Sequence, residues 1–266
     1  MTLPIRLVFG LGLAAAITAP VAAHEIKVFA SRLALPEGGG KATVYLSWGH
    51  RVPVDDLVDA APVERYDLVA PSGTATALKK DGLSLQANTV EFKESGVYTA
   101  VVTRKPGVYT YVLDDDGGRQ LKRGPKTDHA GAKVESGTRY QQAGKALVVV
   151  GKPGDAAPRP LGLPVEITPL GGPAAWVAGA DLRFQILLAG RPVPAAEAHA
   201  RWVGFKPDEA WSYATESDRK GEFTVRPSQP GTWVVRVTVK KLNQGAVREQ
   251  YDFESFTTTL TLEVRP

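Results

Sequence analysis

The chain has 266 residues, no cysteine, and a formal charge of +4 from 32 basic and 28 acidic side chains. Without cysteine there are no disulfides, thiolate metal sites or cysteine nucleophiles, so the fold is held by its core alone. The mild basic excess is spread along the chain with no interleaved aromatic and basic motif, which argues against nucleic acid as the main partner.

The first segment reads as a secretory signal. Arg6 gives a short positive region, "LVFGLGLAAAIT" an apolar run, and "APVAA" the small residues a peptidase needs. The run is short for a bilayer span, which takes roughly 20 residues. Cleavage after Ala23 fits best, making 1–23 a signal peptide and His24-Glu25-Ile26 the start of the mature chain. The expected location is therefore periplasmic or secreted, and no later stretch reads as a membrane span.

From there the pattern is all-β. Apolar residues alternate in "KATVYLSW" (Lys41–Trp48), "GVYTAVVTRK" (Gly96–Lys105) and "GTWVVRVTVK" (Gly231–Lys240), which are rich in Val, Thr and aromatics as half-buried strands are. The best candidate for a short helical turn is Pro53–Tyr66, with Asp55 able to cap the N–H groups that follow it. "DDDGG" (Asp114–Gly118) lacks the alternating acids and later Glu of a calcium loop and reads as a hairpin turn. Frequent Gly and Pro punctuation between short strands predicts immunoglobulin-like or transthyretin-like β-sandwich domains in tandem. The expected boundaries are 24–151 for the first, a Pro-rich linker at 152–163, and 164–266 for the second. "ESGVYTAVVTRK" (Glu94–Lys105) and "QPGTWVVRVTVK" (Gln229–Lys240) echo one another, each with a Gly, an aromatic two residues on and a closing Lys.

The chemistry points to histidine. A processed His24 offers an α-amine and an imidazole to one ion, and the free amine titrates near ~7.7–8.0, so a metal displaces its proton readily. His50, just past a strand in "YLSWGHRVPVDD", is the next candidate ligand; His129, in the polar loop "GPKTDHAGAK", is a third. Asp55, Asp56 and Asp59 follow His50 and could orient an imidazole. In "AEAHARWV" the alternation puts Ala198, Ala200 and Trp202 on the core face and Glu197, His199 and Arg201 on the solvent face. Trp202, Phe205, Trp211 and Tyr213 crowd one segment that could pack a core or line a contact surface. No nucleophile elbow, phosphate loop, zinc-protease motif or Ser/His/Asp ordering is present, so an enzyme is not expected.

"AHEIKVF", "WGHRVPVDD", "VERYDLVAPSG", "FKESGVYTAVVTRKPGVYT", "GLPVEITPL" and "AGADLRFQILLAGRPVPAAEA" with "TESDRKGEF" and "PGTWVVRV" together resemble a periplasmic family of unknown function whose members are commonly labelled as nickel- or cobalt-transport-associated. The resemblance covers nearly all of the chain after the signal. It implies an exported β-rich protein, a histidine at the processed terminus, and a role near transition-metal acquisition. The partners it implies are a nickel or cobalt ion and the membrane components of an ABC-type or energy-coupling-factor transporter. The matching positions are His24, and His50 with the Pro53-Val54-Asp55-Asp56 that follows. Two other readings stand beside it: a copper-binding histidine brace, as carrier or oxidative enzyme, since copper outranks nickel in intrinsic affinity, and a metal-free immunoglobulin-like interaction module.

Overall fold

The computed structural model describes residues 24–204 and 211–266. In chain order the strands are β1 (Glu25–Ala30), β2 (Ala34–Leu35), β3 (Gly40–Gly49), β4 (Val58–Asp59), β5 (Val63–Val69), β6 (Ala75–Ala77), β7 (Leu83–Ser84), β8 (Asn88–Phe92), β9 (Gly96–Arg104), β10 (Gly107–Leu113), β11 (Arg119–Arg123) and β12 (Lys133–Val150). The second half adds β13 (Val165–Pro169), β14 (Leu182–Leu188), β15 (Arg191–Pro192), β16 (Glu197–Trp202), β17 (Tyr213–Glu216), β18 (Glu222–Val225), β19 (Gly231–Leu242) and β20 (Phe253–Val264). Two single 3-10 turns, Lys126–His129 and Pro173–Ala175, are the only helical segments among the described residues. The all-β reading holds, and the three alternating runs read from sequence lie in β3, β9 and β19.

One large sheet runs in the order β17-β16-β19-β20-β12-β9-β5-β6, so it passes through both halves of the chain. The join is the pairing of β12 with β20, parallel from Thr138↔Phe253 to Ala146↔Thr261. A three-stranded sheet, β1-β3-β8, covers one face of it, and a four-stranded sheet of β13, β14, β15 and β18 covers the other. Two main cores result. Ala100, Val102, Ala146, Val148 and Val150 face the first with Ile26, Val28 and Leu46. Val101, Leu147 and Val149 face the second with Ile167, Phe184, Trp233 and Leu260. Successive residues of β9 and β12 thus point to opposite cores. Their sequences read as continuous apolar runs because both faces are buried.

The echoed segments become β9 and β19, each opening on a glycine with positive φ (Gly96 +128°, Gly231 +118°) and each burying the aromatic two residues on, Tyr98 and Trp233. The Asp114–Gly118 turn joins β10 to β11, with the Gly118 N–H donating to the Asp114 carboxylate. The expected helical turn at Pro53–Tyr66 does not form. That segment turns at a cis Val52–Pro53 bond, gives β4, and enters β5.

Strand β1 crosses over the β12–β20 seam, and this crossing positions the site. Gly144 makes it possible: a Cβ there would lie 2.9 Å from the Thr259 hydroxyl and 3.3 Å from the Ile26 carbonyl. The Thr259 hydroxyl donates to that carbonyl at 2.9 Å. Ile26 and Val28 enter the first core. Glu25, Lys27 and Phe29, on the opposite face, are buried too, lying toward the β16–β19 part of the large sheet, where Phe29 meets Val234.

Candidate metal site

The β1–β3 register pairs Glu25 with Gly49. One further step sets His24 across from His50, at the open ends of two adjacent strands. The rings are close, with centroids 4.7 Å apart and planes tilted by 48°. His24 also packs edge-on against Trp48, at 5.7 Å between centroids, and its carbonyl accepts a hydrogen bond from Gln142 Nε2 at 2.6 Å. Trp48 is in turn covered by the Arg104 guanidinium, 3.8 Å above its ring.

The loop bearing His50 is strapped from three directions. Asp55 Oδ2 accepts the N–H groups of His50 at 2.7 Å and Arg51 at 3.2 Å. Asp55 therefore caps the residues before it, where the sequence suggested those after it. Lys27 Nζ donates to the Gly49 carbonyl. Arg201, from β16 in the second half, donates to the His50 carbonyl. Gly49 has φ +120°, and a Cβ on it would fall 2.3 Å from Asp55 Oδ2. The Asp55 strap thus requires glycine here, both for its backbone conformation and for the close approach of the carboxylate.

The charges beneath the loop form a connected network. Lys27 lies 3.3 Å from Glu25, and both are almost wholly buried. Arg236 reaches Glu25 at 3.5 Å and the His199 ring at 3.2 Å. Burial pushes the Lys27 ammonium below its ordinary value, with Arg201 adding to the shift, while Glu25 and Asp55 offset part of it. Burial alone would raise the Asp55 carboxyl; the N–H groups of Arg51 and His50, with the charges of Arg51 and Lys27, outweigh that and leave it below the usual carboxylate range.

His129 is in the 3-10 turn Lys126–His129, with Nε2 2.9 Å from the Arg123 carbonyl. Among the described residues no three His, Asp or Glu side chains gather closely enough to hold an ion; the structure brings together the pair His24 and His50. The face assignment in β16 needs correction. Arg201 is buried at 3% exposure, whereas Trp202 is 37% exposed. Arg201 and His199 face β1 and the ring of Trp211, which stacks under the guanidiniums of Arg201 and Arg236 and 5.5 Å from His199. Phe205 lies outside the described residues. Sequence reading missed Lys27, Arg104, Gln142 and Arg201. The available signal was a charged or amide residue placed inside a strand, where burial demands a partner.

Two imidazoles with centres 4.7 Å apart lie within the span of one ion held about 2.0–2.1 Å from each ligating nitrogen. Imidazole suits nickel, copper and zinc alike, so the donor set present fits a divalent transition metal.

A cysteine-free all-β chain with two histidines joined at the ends of paired strands is the class the fold and site define. The chain belongs to the family described as "Domain of unknown function (DUF4198)", which matches residues 21–241. No curated protein matches it in sequence. Among solved structures it is similar to the D0-D1 domain of intimin, at 11% identity over 91% of this chain and 98% of that one, with a TM-score of 0.22. The D00-D0 domain of intimin gives 10% identity over 91% and 100%, with a TM-score of 0.22. A Salmonella alpha-2-macroglobulin gives 12% identity over 91% of this chain but only 15% of its own length, with a TM-score of 0.23. Similarity at this level carries no inference about what the chain does. Among the described residues no helix is long and apolar enough to cross a membrane.

Proposed function

We propose that the protein is an exported binder of a divalent transition metal, nickel or cobalt, serving capture and delivery to a membrane transporter without bond-making chemistry. His24 and His50 are the ring ligands, and the α-amine freed by cleavage after Ala23 is a third nitrogen on the same residue as the first ring. The observation that carries the reading is the 4.7 Å separation of the two imidazoles, with His50 on a loop strapped by Lys27, Asp55 and Arg201. A strap of this kind fixes the backbone that carries the His50 ring before the ion arrives and so lowers the ordering cost of binding. The resemblance to nickel- and cobalt-associated proteins supports the choice of metal and the transporter partner.

The test is calorimetric titration of nickel and cobalt into protein beginning at His24, into the same chain with one added residue before His24, and into His50→Ala. Tight binding by the first, weakened in each of the other two, is the expected result. Equal and weak binding by all three ends the reading.

A further inference from the structure

Beside the histidine pair, and sharing His24 with it, lies a cavity. Two adjoining hollows, of about 560 Å³ and 150 Å³, share Trp48, Val108, Arg123 and Tyr140 as walls. His24 and Tyr109 line the smaller one, Arg104 the larger.

Arg104 is the anomaly. It ends β9 with its guanidinium flat on the Trp48 ring. Its Nε and Nη1 are buried with no hydrogen-bond partner. It forms no ion pair among the described residues, and neither does Arg123. Burial, reinforced by the nearby Arg123 charge, disfavours its protonated form, while Tyr140 and Asp59 offset only part of this. Two carboxylates line the same hollow without forming an ion pair with Arg104: Asp56 accepts the Leu57 N–H at 2.7 Å and Asp59 the Ala61 N–H at 3.0 Å.

Arg104, half-buried and outside any ion pair among the described residues, and Arg123, exposed at the end of β11, give the hollow two guanidiniums that an anion can meet. A carboxylate matches the planar donor fork of a guanidinium. The aromatic walls and the volume suit a small organic molecule.

We propose that this cavity binds a small organic carboxylate, seated between the Arg104 and Arg123 guanidiniums against the rings of Trp48 and Tyr140.

The experiment titrates succinate and tricarballylate into metal-free protein and follows the Trp48 indole N–H by NMR, with succinamide as the uncharged control. The expected result is a saturable shift with the carboxylates and none with succinamide. Arg104→Gln should weaken the affinity roughly tenfold to a hundredfold, as loss of a charge-assisted hydrogen bond does. Thermal unfolding of that variant checks that it remains folded. Arg104→Lys, which keeps the charge but loses the fork, should fall between the two. Absence of a saturable shift in the wild type, or unchanged affinity in Arg104→Gln, overturns the proposal. Because no metal is added, neither result depends on metal binding by the histidine pair.

Discussion

Replacing Gly49 with Ala tests the connection between backbone geometry and the histidine pair. Two costs can be separated. The residue sits at φ +120°, and holding an L-residue in such a region costs about 1–3 kcal/mol. The new Cβ would also fall 2.3 Å from Asp55 Oδ2 and 2.8 Å from Asp55 Cβ. Contact with the Cβ, close to the backbone, leaves little room for Asp55 to swing aside. Its bonds to the His50 and Arg51 N–H groups must then break, and hydrogen bonds to a charged group contribute about 1.5–3 kcal/mol. Gly73→Ala is the control, because its φ is +91° but nothing lies within 4 Å of the added atom. Urea unfolding should show Gly49→Ala losing about 1.5–3 kcal/mol more than Gly73→Ala. Metal affinity should drop in the first variant and stay unchanged in the second. Equal losses in the two variants, or a Gly49→Ala protein with wild-type metal affinity, would show that the Asp55 strap does not position His50.

Three further outcomes follow from the same geometry. Lys145 and Glu166 form an ion pair of 2.7 Å, nearly wholly buried, and Glu166 also accepts the Leu161 and Leu163 N–H groups; Glu166→Gln should cost about 3–5 kcal/mol in urea unfolding by leaving the Lys145 charge uncompensated, while the double change Lys145→Met with Glu166→Gln, which removes that charge and keeps an amide oxygen as acceptor, should recover most of that loss. Arg201→Gln should weaken metal binding with little change in the β16–β19 pairing, read as lower affinity by calorimetry and unshifted amide resonances along β19. Asp55 has a folded pKa below its unfolded value, so its strap is fully present above the unfolded value and is lost as pH falls through the folded one; the His50 and Arg51 amide NMR shifts should move together in that acid window and stay flat in Asp55→Asn.

Strand positions were legible in the sequence, but which faces are buried was not, and the reason is physical. Alternation reveals a strand whose two faces are unequally buried, and β3 with its "KATVYLSW" is such a strand, Ala42, Val44 and Leu46 buried and Thr43 and Tyr45 only partly so. In β1, Ile26 and Val28 alternate with Glu25 and Lys27, the pattern of a half-exposed strand. Yet Glu25 and Lys27 are 3% and 0% exposed, because the strand is pressed between the first core and the charged underside of β16 and β19. The error at Arg201 and His199 has the same origin, since their face meets β1 and Trp211 instead of water. A charged residue satisfies the alternation rule equally well in solvent or in a buried network, and only the partner strand, more than a hundred positions away, decides between them.

That long-range pairing also explains what could be seen of the site. His24 and His50 were identifiable as separate candidates from local context: a predicted cleavage point, and a turn after a strand. Their meeting depends on the β1–β3 register, in which Glu25 faces Gly49, and register is fixed by which residues enter the core. Ile26 opposite Trp48 and Val28 opposite Leu46 place all four side chains in or against the first core. A slip by one residue would put Glu25 and Lys27 there instead and part the two histidines. The hydrophobic pattern of β1 therefore determines the geometry of the pair. Exchanging Ile26 and Lys27, which keeps composition while moving a charge into the first core and an apolar residue out of it, should abolish both the 4.7 Å ring contact and metal binding, whereas exchanging Ile26 and Val28, which preserves the pattern, should spare both.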